Sequence, residues 1–303
     1  MKLSDFLRLL SLSAIWGSSF IFMRYVVPQS GIISTSFFRE LIGALGLILI
    51  VVLNRKSFSY YGKFKYSLML GVINSAIPFM LYSAAAKFLP AGYSAIFNAT
   101  TPIMAILIGA IFFHDGVNTR KLLGVFIGLL GVVTLSGVGP VTFGAHQVFA
   151  ALACLGSAAC YGLAGYLSHK WIYKSVTIDN ALVAMGSQLG ATFVMTPIFL
   201  WGLFTGHATI PLNGDDWLAL AALGLLCSTV AYILYFRLLK DIGAVKASSV
   251  TFLVPVFGVI FGALFLGEKL SLAHVYGGGL IFISLIFILV PERKTLEATS
   301  PAT

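Results

Sequence analysis

Two stretches of the sequence repeat each other: AIFNATTPIMAILIGAIFF at residues 95–113 and SSVTFLVPVFGVIFGALFL at residues 248–266. They lie 153 positions apart, and the same spacing aligns residues 71–124 with residues 224–277 without a gap. Identical glycine, leucine, tyrosine, lysine and proline residues recur at this spacing. A constant spacing over such a length indicates an internal duplication, which has to be recognised before any other feature is interpreted.

Each copy carries a proline inside its apolar run. A proline removes one backbone donor and displaces the carbonyl four residues earlier, which belongs to Asn98 before Pro102 and to Thr251 before Pro255. Unwound backbone at membrane depth is tolerated only where protein covers it or where it lines a cavity. Two broken helices at corresponding positions point to the binding site of a transporter. We therefore predict helix breaks at both prolines, the alternative being that membrane helices are simply richer in proline.

The composition indicates a membrane protein. The chain has 303 residues, of which 59% are hydrophobic and only 10% charged, and its mean hydropathy is +0.98. A soluble domain carries roughly 25% charged residues. The net charge of +9 does not indicate a nucleic-acid partner, because the basic residues form short clusters between apolar runs. Such clusters are typical of membrane topology.

Cysteine and histidine residues give no sign of a metal or cofactor site. The three cysteines fall inside apolar runs and form no CxxC motif, and the five histidines are scattered. This pattern matches neither a disulfide framework nor a zinc site. We expect neither metal nor cofactor.

Runs of about 20 apolar residues are long enough to cross a bilayer as helices. We predict an all-α polytopic membrane protein with ten transmembrane helices, at residues 6–27, 32–53, 66–87, 91–113, 120–138, 147–168, 179–203, 215–238, 243–266 and 272–290. The first of these runs is too long for the apolar region of a signal peptide, and no small-residue cleavage site follows it.

The basic residues predict the orientation of these spans. With the N-terminus inside, fifteen lysine and arginine residues fall on the inner side and four in the outer half, which follows the positive-inside rule. Both termini are then cytoplasmic. Each copy holds five spans, an odd number, so the second copy is inverted relative to the first, as in secondary transporters. We predict a first repeat at residues 1–141, a second at 142–291 and a disordered cytoplasmic tail at 292–303.

Several motifs resemble a known family. WGSSF at residues 16–20, FFREL at 37–41 and PVFGVIFGALFLGEKLS at 255–271 are similar to EamA-type members of the drug/metabolite transporter superfamily. The resemblance covers about residues 10–290. It implies a ten-helix carrier with two inverted five-helix repeats, which moves amino acids, other small metabolites or toxic compounds across the bacterial inner (cytoplasmic) membrane, often outward. The first copy departs from the pattern, since His114-Asp115 stands where the second copy has Gly267-Glu268.

Polar and aromatic side chains recur along the helix faces of several spans at intervals of three to four residues. We predict that they line a central cavity, where tyrosine and tryptophan offer apolar contact and a polar tip. Packing between helices is the alternative for any single member. The predicted substrate-binding residues are Trp16, Ser19, Arg39, Asn74, Tyr82, Asn98, Thr101, Tyr161, Tyr235 and Thr251.

Arg39 and Glu40 are the charged residues deepest in the predicted membrane, near the middle of the span at 32–53. Ionisable residues at such depth are candidates for function. Arg39 matches the arginine of the family's second span and is a candidate to meet an anionic or zwitterionic solute. Glu40 has no family counterpart, and it is our candidate for proton coupling. The structural alternatives are that Arg39 holds neighbouring helices and that Glu40 pairs with a basic side chain.

The sequence therefore favours a secondary transporter, an exporter by resemblance, that works by alternating access. Its partners would be a small-molecule solute, the lipid bilayer and, through Glu40, protons, and the protein would be a monomer or a homodimer. A scaffold or receptor without transport is the second interpretation. An intramembrane enzyme is the third, and the sequence offers neither an HExxH motif nor paired carboxylates for it. We expect no enzymatic activity.

Overall fold

The computed structural model describes residues 1–85, 88, 96–136, 144–174, 177–266 and 271–290. Every regular element within these residues is helical. In chain order the α-helices are α1 (Leu3–Leu53), α2 (Phe64–Gly71), α3 (Ile77–Ala85), α4 (Thr101–Phe113), α5 (Thr119–Ser136), α6 (Ala145–Ser168), α7 (Asn180–Phe204), α8 (Gly214–Ala221), α9 (Ala231–Ile242), α10 (Ala244–Ser248), α11 (Val250–Leu266) and α12 (Leu272–Leu289). Three π-helical segments join or extend these helices: Val72–Ala76, His169–Tyr173 and Ala222–Val230.

Helix α1 is a hairpin with one residue at its turn. Gly31 has φ 76° and ψ 167°, a backbone conformation that glycine adopts readily and other residues avoid. The chain reverses there, because Arg39 Nη1 lies 3.8 Å from Met23 Sδ. In a straight helix these two residues would be about 24 Å apart along the axis. The two arms of α1, residues 3–30 and 32–53, therefore run side by side.

The chain is an all-helical polytopic membrane protein. Among the described residues, eight stretches are long and apolar enough to cross a membrane: Tyr25–Leu53, Phe64–Tyr82, Ile96–Phe113, Ala145–Tyr173, Asn180–Phe204, Gly214–Ile242, Ala244–Phe261 and Leu272–Leu289. The predicted spans at 6–27 and 120–138 fall on the first arm of α1 and on α5, outside this set. The count of ten stays a prediction. The tail at 292–303 and the motif at 267–270 lie outside the described residues.

Helices α5 and α12 pack against each other through glycines. An added Cβ on Gly131 would lie 2.8 Å from the Gly277 carbonyl oxygen, and one on Gly124 would lie 3.2 Å from the Ser284 carbonyl oxygen. Small residues allow such close approach of membrane helices. The two contacts are reciprocal: Gly124 and Gly277 are 153 positions apart, as are Gly131 and Ser284.

A second pair of contacts shows the same reciprocity. The backbone of Gly71 packs directly on the middle of α7, where an added Cβ would lie 2.9 Å from the Ala191 amide nitrogen and closer still to the Ser187 carbonyl. The equivalent Gly224 packs on the second arm of α1, where an added Cβ would lie 3.2 Å from the Gly43 amide nitrogen. Residues 43 and 191 therefore hold corresponding places in the two halves of the chain.

The two prolines differ in their effect on the helices. Pro102 lies in the first turn of α4, directly after a break, and the Thr101 hydroxyl donates to the Asn98 carbonyl at 2.6 Å. Pro255 lies inside α11, which continues through it, and the break of the second copy is at Ser249 instead. The predicted helix break at Pro255 is therefore wrong. A proline removes a single hydrogen bond, and a helix can continue past it with a local bend.

Ion pairs at the helix ends join the two halves of the chain. Arg8 of α1 contacts Asp241 at 3.4 Å, and Asp241 is also paired with Arg237 at 2.6 Å. At the other end of α1, Lys56 contacts Asp179 at 2.7 Å. Asp179 caps α7 by accepting a hydrogen bond from the Ala181 amide at 2.8 Å. Both ends of α1 are thus tied to the second half of the chain.

Candidate functional site

The candidate site lies between two of the three π-helical segments that the described residues form. The π-helical segment Val72–Ala76, moved by 153 positions, falls within the π-helical segment Ala222–Val230. π-Helical turns occur frequently at functional sites because they widen the helix and reorient its side chains. Ser75 lies in the first segment, and its hydroxyl shares a hydrogen bond with that of Tyr232, which lies two residues after the end of the second.

Arg39 connects the second arm of α1 to the π-helical segment of the second half. Its Nε donates to Ser228 Oγ at 3.1 Å and its Nη2 donates to the Cys227 carbonyl at 3.3 Å. The guanidinium carbon lies 4.7 Å from the centre of the Phe79 ring. The side chain is 6% exposed, and hydrogen bonds with a face of an aromatic ring compensate part of the cost of burying its charge.

Trp16 lies in the same layer. Its Nε1 donates to the Cys227 carbonyl at 3.2 Å, so this carbonyl accepts from both arms of α1. The indole ring lies 5.5 Å from the Tyr235 ring and 6.4 Å from the Tyr232 ring, measured between centroids. Trp16, Tyr232 and Tyr235 form an aromatic cluster, with apolar rings and polar tips in one small volume.

A second group of predicted residues meets between α3, α4 and α6. The Tyr82 hydroxyl donates to Asn98 Oδ1 at 3.2 Å, and the Tyr82 and Tyr161 rings are stacked with centroids 6.5 Å apart. Tyr161 is also within electrostatic range of Arg39 and Tyr235. It therefore connects this group with the aromatic cluster.

Three small polar residues of the prediction donate to the backbone carbonyl three residues earlier. Ser19 donates to the Trp16 carbonyl at 2.6 Å, Thr101 to the Asn98 carbonyl at 2.6 Å and Thr251 to the Ser248 carbonyl at 2.8 Å. Serine and threonine often bond in this way to carbonyls of the preceding turn. Their hydroxyls are thus committed to the backbone. The remaining predicted residue, Asn74, is buried in the first π-helical segment.

Glu40 is placed differently from its neighbour Arg39. Its side chain is 1% exposed, and neither carboxylate oxygen has a hydrogen-bond partner among the described residues. Gln188 of α7 is fully buried, and its amide approaches the Tyr232 hydroxyl without a hydrogen bond of good geometry. Glu40 is within electrostatic range of the same hydroxyl. Buried polar groups without partners are rare, and each calls for an explanation.

Two cavities, of about 210 and 220 Å³, lie near the C-terminal end of α4 and the N-terminal end of α5. They share Asn118 and Lys121. The described residues that line them include none of the predicted binding residues. The first is lined by Asn118, Arg120, Lys121, Lys246, Phe287, Ile288 and Val290, and the second by Ile106, Asp115, Gly116, Asn118, Lys121, Tyr166 and Val245.

Comparison with protein families gives a match in each half of the chain. The model of the EamA-like transporter family matches residues 5–137 and again residues 148–290. The chain belongs to the EamA-like transporter family. A transporter role follows from this membership, and it agrees with the polytopic helical fold.

The relatives of this EamA-like chain include proteins that are named as transporters. It is 25% identical over 279 residues to "Uncharacterized transporter YoaV" of Bacillus subtilis, covering 91% of this chain and 93% of the relative. It is 23% identical over 287 residues to "Uncharacterized inner membrane transporter YedA" of Escherichia coli, covering 92% and 89%. "Protein PecM" of Dickeya dadantii is 27% identical over 317 residues, covering 98% and 97%.

A solved crystal structure has the same fold as this EamA-like chain. It aligns with a TM-score of 0.79 over 95% of this chain and 97% of the other, at 17% identity. At that identity the likeness concerns the fold alone.

Sequence reasoning missed four polar residues of the EamA-like site: Ser75, Gln188, Ser228 and Tyr232. The two serines were visible as an identical pair 153 positions apart, and their shared identity in an apolar setting was the available signal. Gln188 was visible as the one glutamine in the middle of its apolar run. Tyr232 had no such signal, because its equivalent in the first copy is Phe79.

Proposed function

We propose that this protein is a secondary carrier that moves a small organic solute, such as an amino acid or a toxic analogue, by alternating access. The observation that carries the proposal is the link between Arg39 and the Cys227–Ser228 backbone and hydroxyl, at the π-helical segment of the other half. A charged residue shared between two halves at membrane depth suits a site that opens to either side. A static scaffold has no need of such a buried charge.

The two halves are proposed to be inverted repeats, with the boundary near residue 141 and five spans in each. The reciprocal contacts of α5 with α12 support this arrangement. So does the reciprocity between Gly71 on α7 and Gly224 on α1. Two repeats related by a twofold axis in the membrane plane would exchange conformations between the outward-open and inward-open states.

The protein is proposed to lie in the bacterial cytoplasmic membrane with both termini inside. The support is the excess of lysine and arginine on the predicted inner side. Export is the proposed direction of net flux. This direction rests on the resemblance stated for the sequence.

The solute site is proposed to consist of the aromatic cluster together with Arg39, Tyr82, Asn98 and Tyr161. The rings offer apolar contact, while Asn98 and the tyrosine hydroxyls offer hydrogen bonds. The Arg39 guanidinium would receive a solute carboxylate in place of the weaker neutral acceptors that it now contacts. The solute is therefore proposed to be anionic or zwitterionic.

The test is solute counterflow in liposomes that contain the purified full-length protein. A panel of radiolabelled amino acids and small carboxylates is offered outside vesicles preloaded with the same unlabelled solute, at equal pH on both sides. At least one solute should accumulate above the level of protein-free liposomes. Arg39→Gln should lower the apparent affinity for that solute, because a charge-assisted hydrogen bond contributes about 1.5–3 kcal/mol.

The matched control is Arg237→Gln. Arg237 is a half-exposed arginine paired with Asp241 at the end of α9, away from the proposed site. This variant should leave counterflow unchanged. If no solute of the panel exchanges while the protein is folded and inserted, a scaffold or receptor role is favoured over a carrier.

A further inference from the structure

Glu40 and Gln188 hold corresponding positions in the two halves of the chain. Gly43 and Ala191 face the equivalent glycines Gly224 and Gly71, and they are 148 positions apart. The same spacing carries Glu40 onto Gln188, and the leucine that follows each of them is identical. Gln188 Oε1 also lies 3.6 Å from the position that a Cβ on Gly43 would take, one turn along from Glu40.

The two side chains differ in one respect that matters for chemistry. An amide and a protonated carboxylic acid have the same shape, with one carbonyl oxygen and one group that donates. An ionised carboxylate only accepts. Glu40 and Gln188, which we name the acid–amide pair, therefore match each other when Glu40 carries a proton and differ when it does not.

The surroundings of Glu40 offer little to an ionised carboxylate. Among the described residues, the charged and titratable groups within electrostatic range of Glu40 are Arg39 on its own helix, Tyr161 of α6 and Tyr232 of α9. The guanidinium donates to Ser228 and to the Cys227 carbonyl, and the Tyr232 hydroxyl shares its hydrogen bond with Ser75. Burying an ionised carboxylate without hydrogen bonds carries a large desolvation cost.

The second half presents an acceptor near a protonated Glu40. Its O–H needs one oxygen, and the Gln188 amide oxygen lies near Gly43, one turn of α1 along from Glu40. The packed arrangement of the two halves therefore suits the protonated acid. An arrangement that opens the pair to water suits the ionised form, because water supplies the missing donors.

We propose that the acid–amide pair is a proton site that couples proton movement to the exchange between the two arrangements of the halves. This inference rests on the proposed carrier function. Glu40 takes one proton from water on one side, forming the carboxyl O–H. The halves then close over the neutral pair, and the proton leaves to water on the other side. One proton crosses in each cycle, and Gln188 provides the acceptor in the closed arrangement.

The first test needs no solute. The purified protein is treated with dicyclohexylcarbodiimide, which modifies protonated carboxyl groups in apolar surroundings, and its peptides are analysed by mass spectrometry. Modification should occur at Glu40 and decline with rising pH, approaching about tenfold per pH unit once the ionised form dominates. Asp241, which is paired with Arg237 and Arg8, is the internal control and should stay unmodified. Folded protein in which Glu40 is unmodified at every pH would overturn the proposal.

The second test exchanges the two side chains. With a solute found by counterflow, an imposed pH gradient should stimulate transport by the parent protein. Glu40→Gln should keep counterflow at equal pH and lose this stimulation, while Glu40→Asp should keep part of it. The exchange variant Glu40→Gln/Gln188→Glu should regain stimulation and become modified by the carbodiimide at position 188.

The outcomes separate the two proposals. If no solute is exchanged but Glu40 is modified in the expected way, the protonated acid at Glu40 stands, whereas the carrier function, and with it the coupling, fails. If counterflow works and Glu40→Gln responds to the gradient like the parent, the proton site is refuted and the carrier function stands. An exchange variant that is folded by size-exclusion chromatography, exchanges solute and yet shows neither stimulation nor modification at position 188 would contradict the pairing of the two residues.

Discussion

The Arg39 guanidinium carbon lies 4.7 Å from the centre of the Phe79 ring. The residue equivalent to Phe79 in the second copy is Tyr232, which is within electrostatic range of Glu40. The cation of Arg39 is attracted to the face of the Phe79 π-system.

Replacing Phe79 tests this contact. Phe79→Leu removes the ring face but keeps an apolar side chain, and it should lower the free energy of unfolding by about 1 kcal/mol. Phe79→Tyr keeps the face of the aromatic ring and should lower the free energy of unfolding less. Thermal unfolding of the detergent-purified protein, followed by tryptophan fluorescence, measures the difference. Equal melting temperatures for Phe79→Leu and the parent would show that the contact is not stabilising.

The Tyr82–Asn98 hydrogen bond predicts a graded series in transport. Tyr82→Phe removes the hydroxyl and keeps the ring stacked on Tyr161, so the loss should be modest, about 1 kcal/mol or fivefold in apparent affinity. Tyr82→Ala removes the ring as well and should cost more, and Asn98→Leu should resemble Tyr82→Phe or exceed it. Counterflow with the solute found by screening gives the affinities. If all three variants match the parent at normal expression, the solute site lies elsewhere.

The α5–α12 contact predicts which glycines tolerate a methyl group. An added Cβ on Gly277 would lie 2.5 Å from the Leu135 amide nitrogen, while one on Gly278 or Gly279 would meet no atom within 4 Å. Gly277→Ala should therefore destabilise by about 1–3 kcal/mol through overpacking. Gly278→Ala and Gly279→Ala are matched controls with similar helix propensity, and both should melt at or above the temperature of the parent. The comparison fails if all three variants melt alike.

Asp179 predicts a stability change in acid. Burial alone would raise the pKa of Asp179, but hydrogen bonds from Lys56 and from the Ala181 and Leu182 amides outweigh burial and lower it. Because the pKa is lowered, the ionised Asp179 side chain adds to the free energy of unfolding above the unfolded pKa of about 3.9. This contribution is lost as the pH falls through the folded pKa. Because both side chains are partly exposed, the contribution should not exceed about 1 kcal/mol.

Two substitutions separate the roles of Asp179. Asp179→Asn keeps a good helix cap and loses the ion pair, whereas Asp179→Ala loses both, with a further cost of about 1 kcal/mol. Melting temperatures at neutral pH should fall in the order parent, asparagine, alanine. Below about pH 4 the parent and Asp179→Asn should converge. A constant gap between them at every pH would exclude the ion pair as its source.

The proposed orientation predicts the accessibility of single cysteines. The turn glycines Gly31, Gly62 and Gly206 all have φ between 74° and 76°, so a cysteine there would be strained. Exposed neighbours serve better: Thr205→Cys should react with an impermeant maleimide in intact cells, and Ser57→Cys only after the cells are opened. The native cysteines are replaced beforehand. Labelling of Ser57→Cys in intact cells would reverse the orientation.

The sequence was sufficient for the class of fold and for part of the site. Long apolar runs fixed the helices, and the 153-residue spacing pointed to the equivalent glycines that later proved to make equivalent contacts. Trp16, Arg39, Tyr82, Asn98, Tyr161 and Tyr235 are brought together in two connected groups, as expected for a common lining. Their role in binding stays a prediction.

The rest of the fold and of the site depended on features that leave no signal in the local sequence. A π-helical turn shifts the hydrogen-bonding pattern without a characteristic composition, so Ser75 and Ser228 could not be assigned to it beforehand. The correspondence of Glu40 with Gln188 follows a spacing of 148 rather than 153, because Ala191 and Gly224 are 33 positions apart whereas Gly43 and Gly71 are 28 apart. At Pro255 the surrounding helix continued where a break was expected, since one lost hydrogen bond does not decide the path of a well-packed helix.

The two arms of the α1 hairpin are joined without a connecting loop. Only Gly31 departs from helical backbone between residues 3 and 53, so a tilt of one arm cannot be absorbed in a connecting loop and must pass to the other. Trp16 on the first arm and Arg39 on the second hold the same carbonyl, that of Cys227. A movement of the hairpin away from this carbonyl would therefore break both hydrogen bonds together. In a carrier of this kind the two arms would move as one rigid unit, because a single residue connects them.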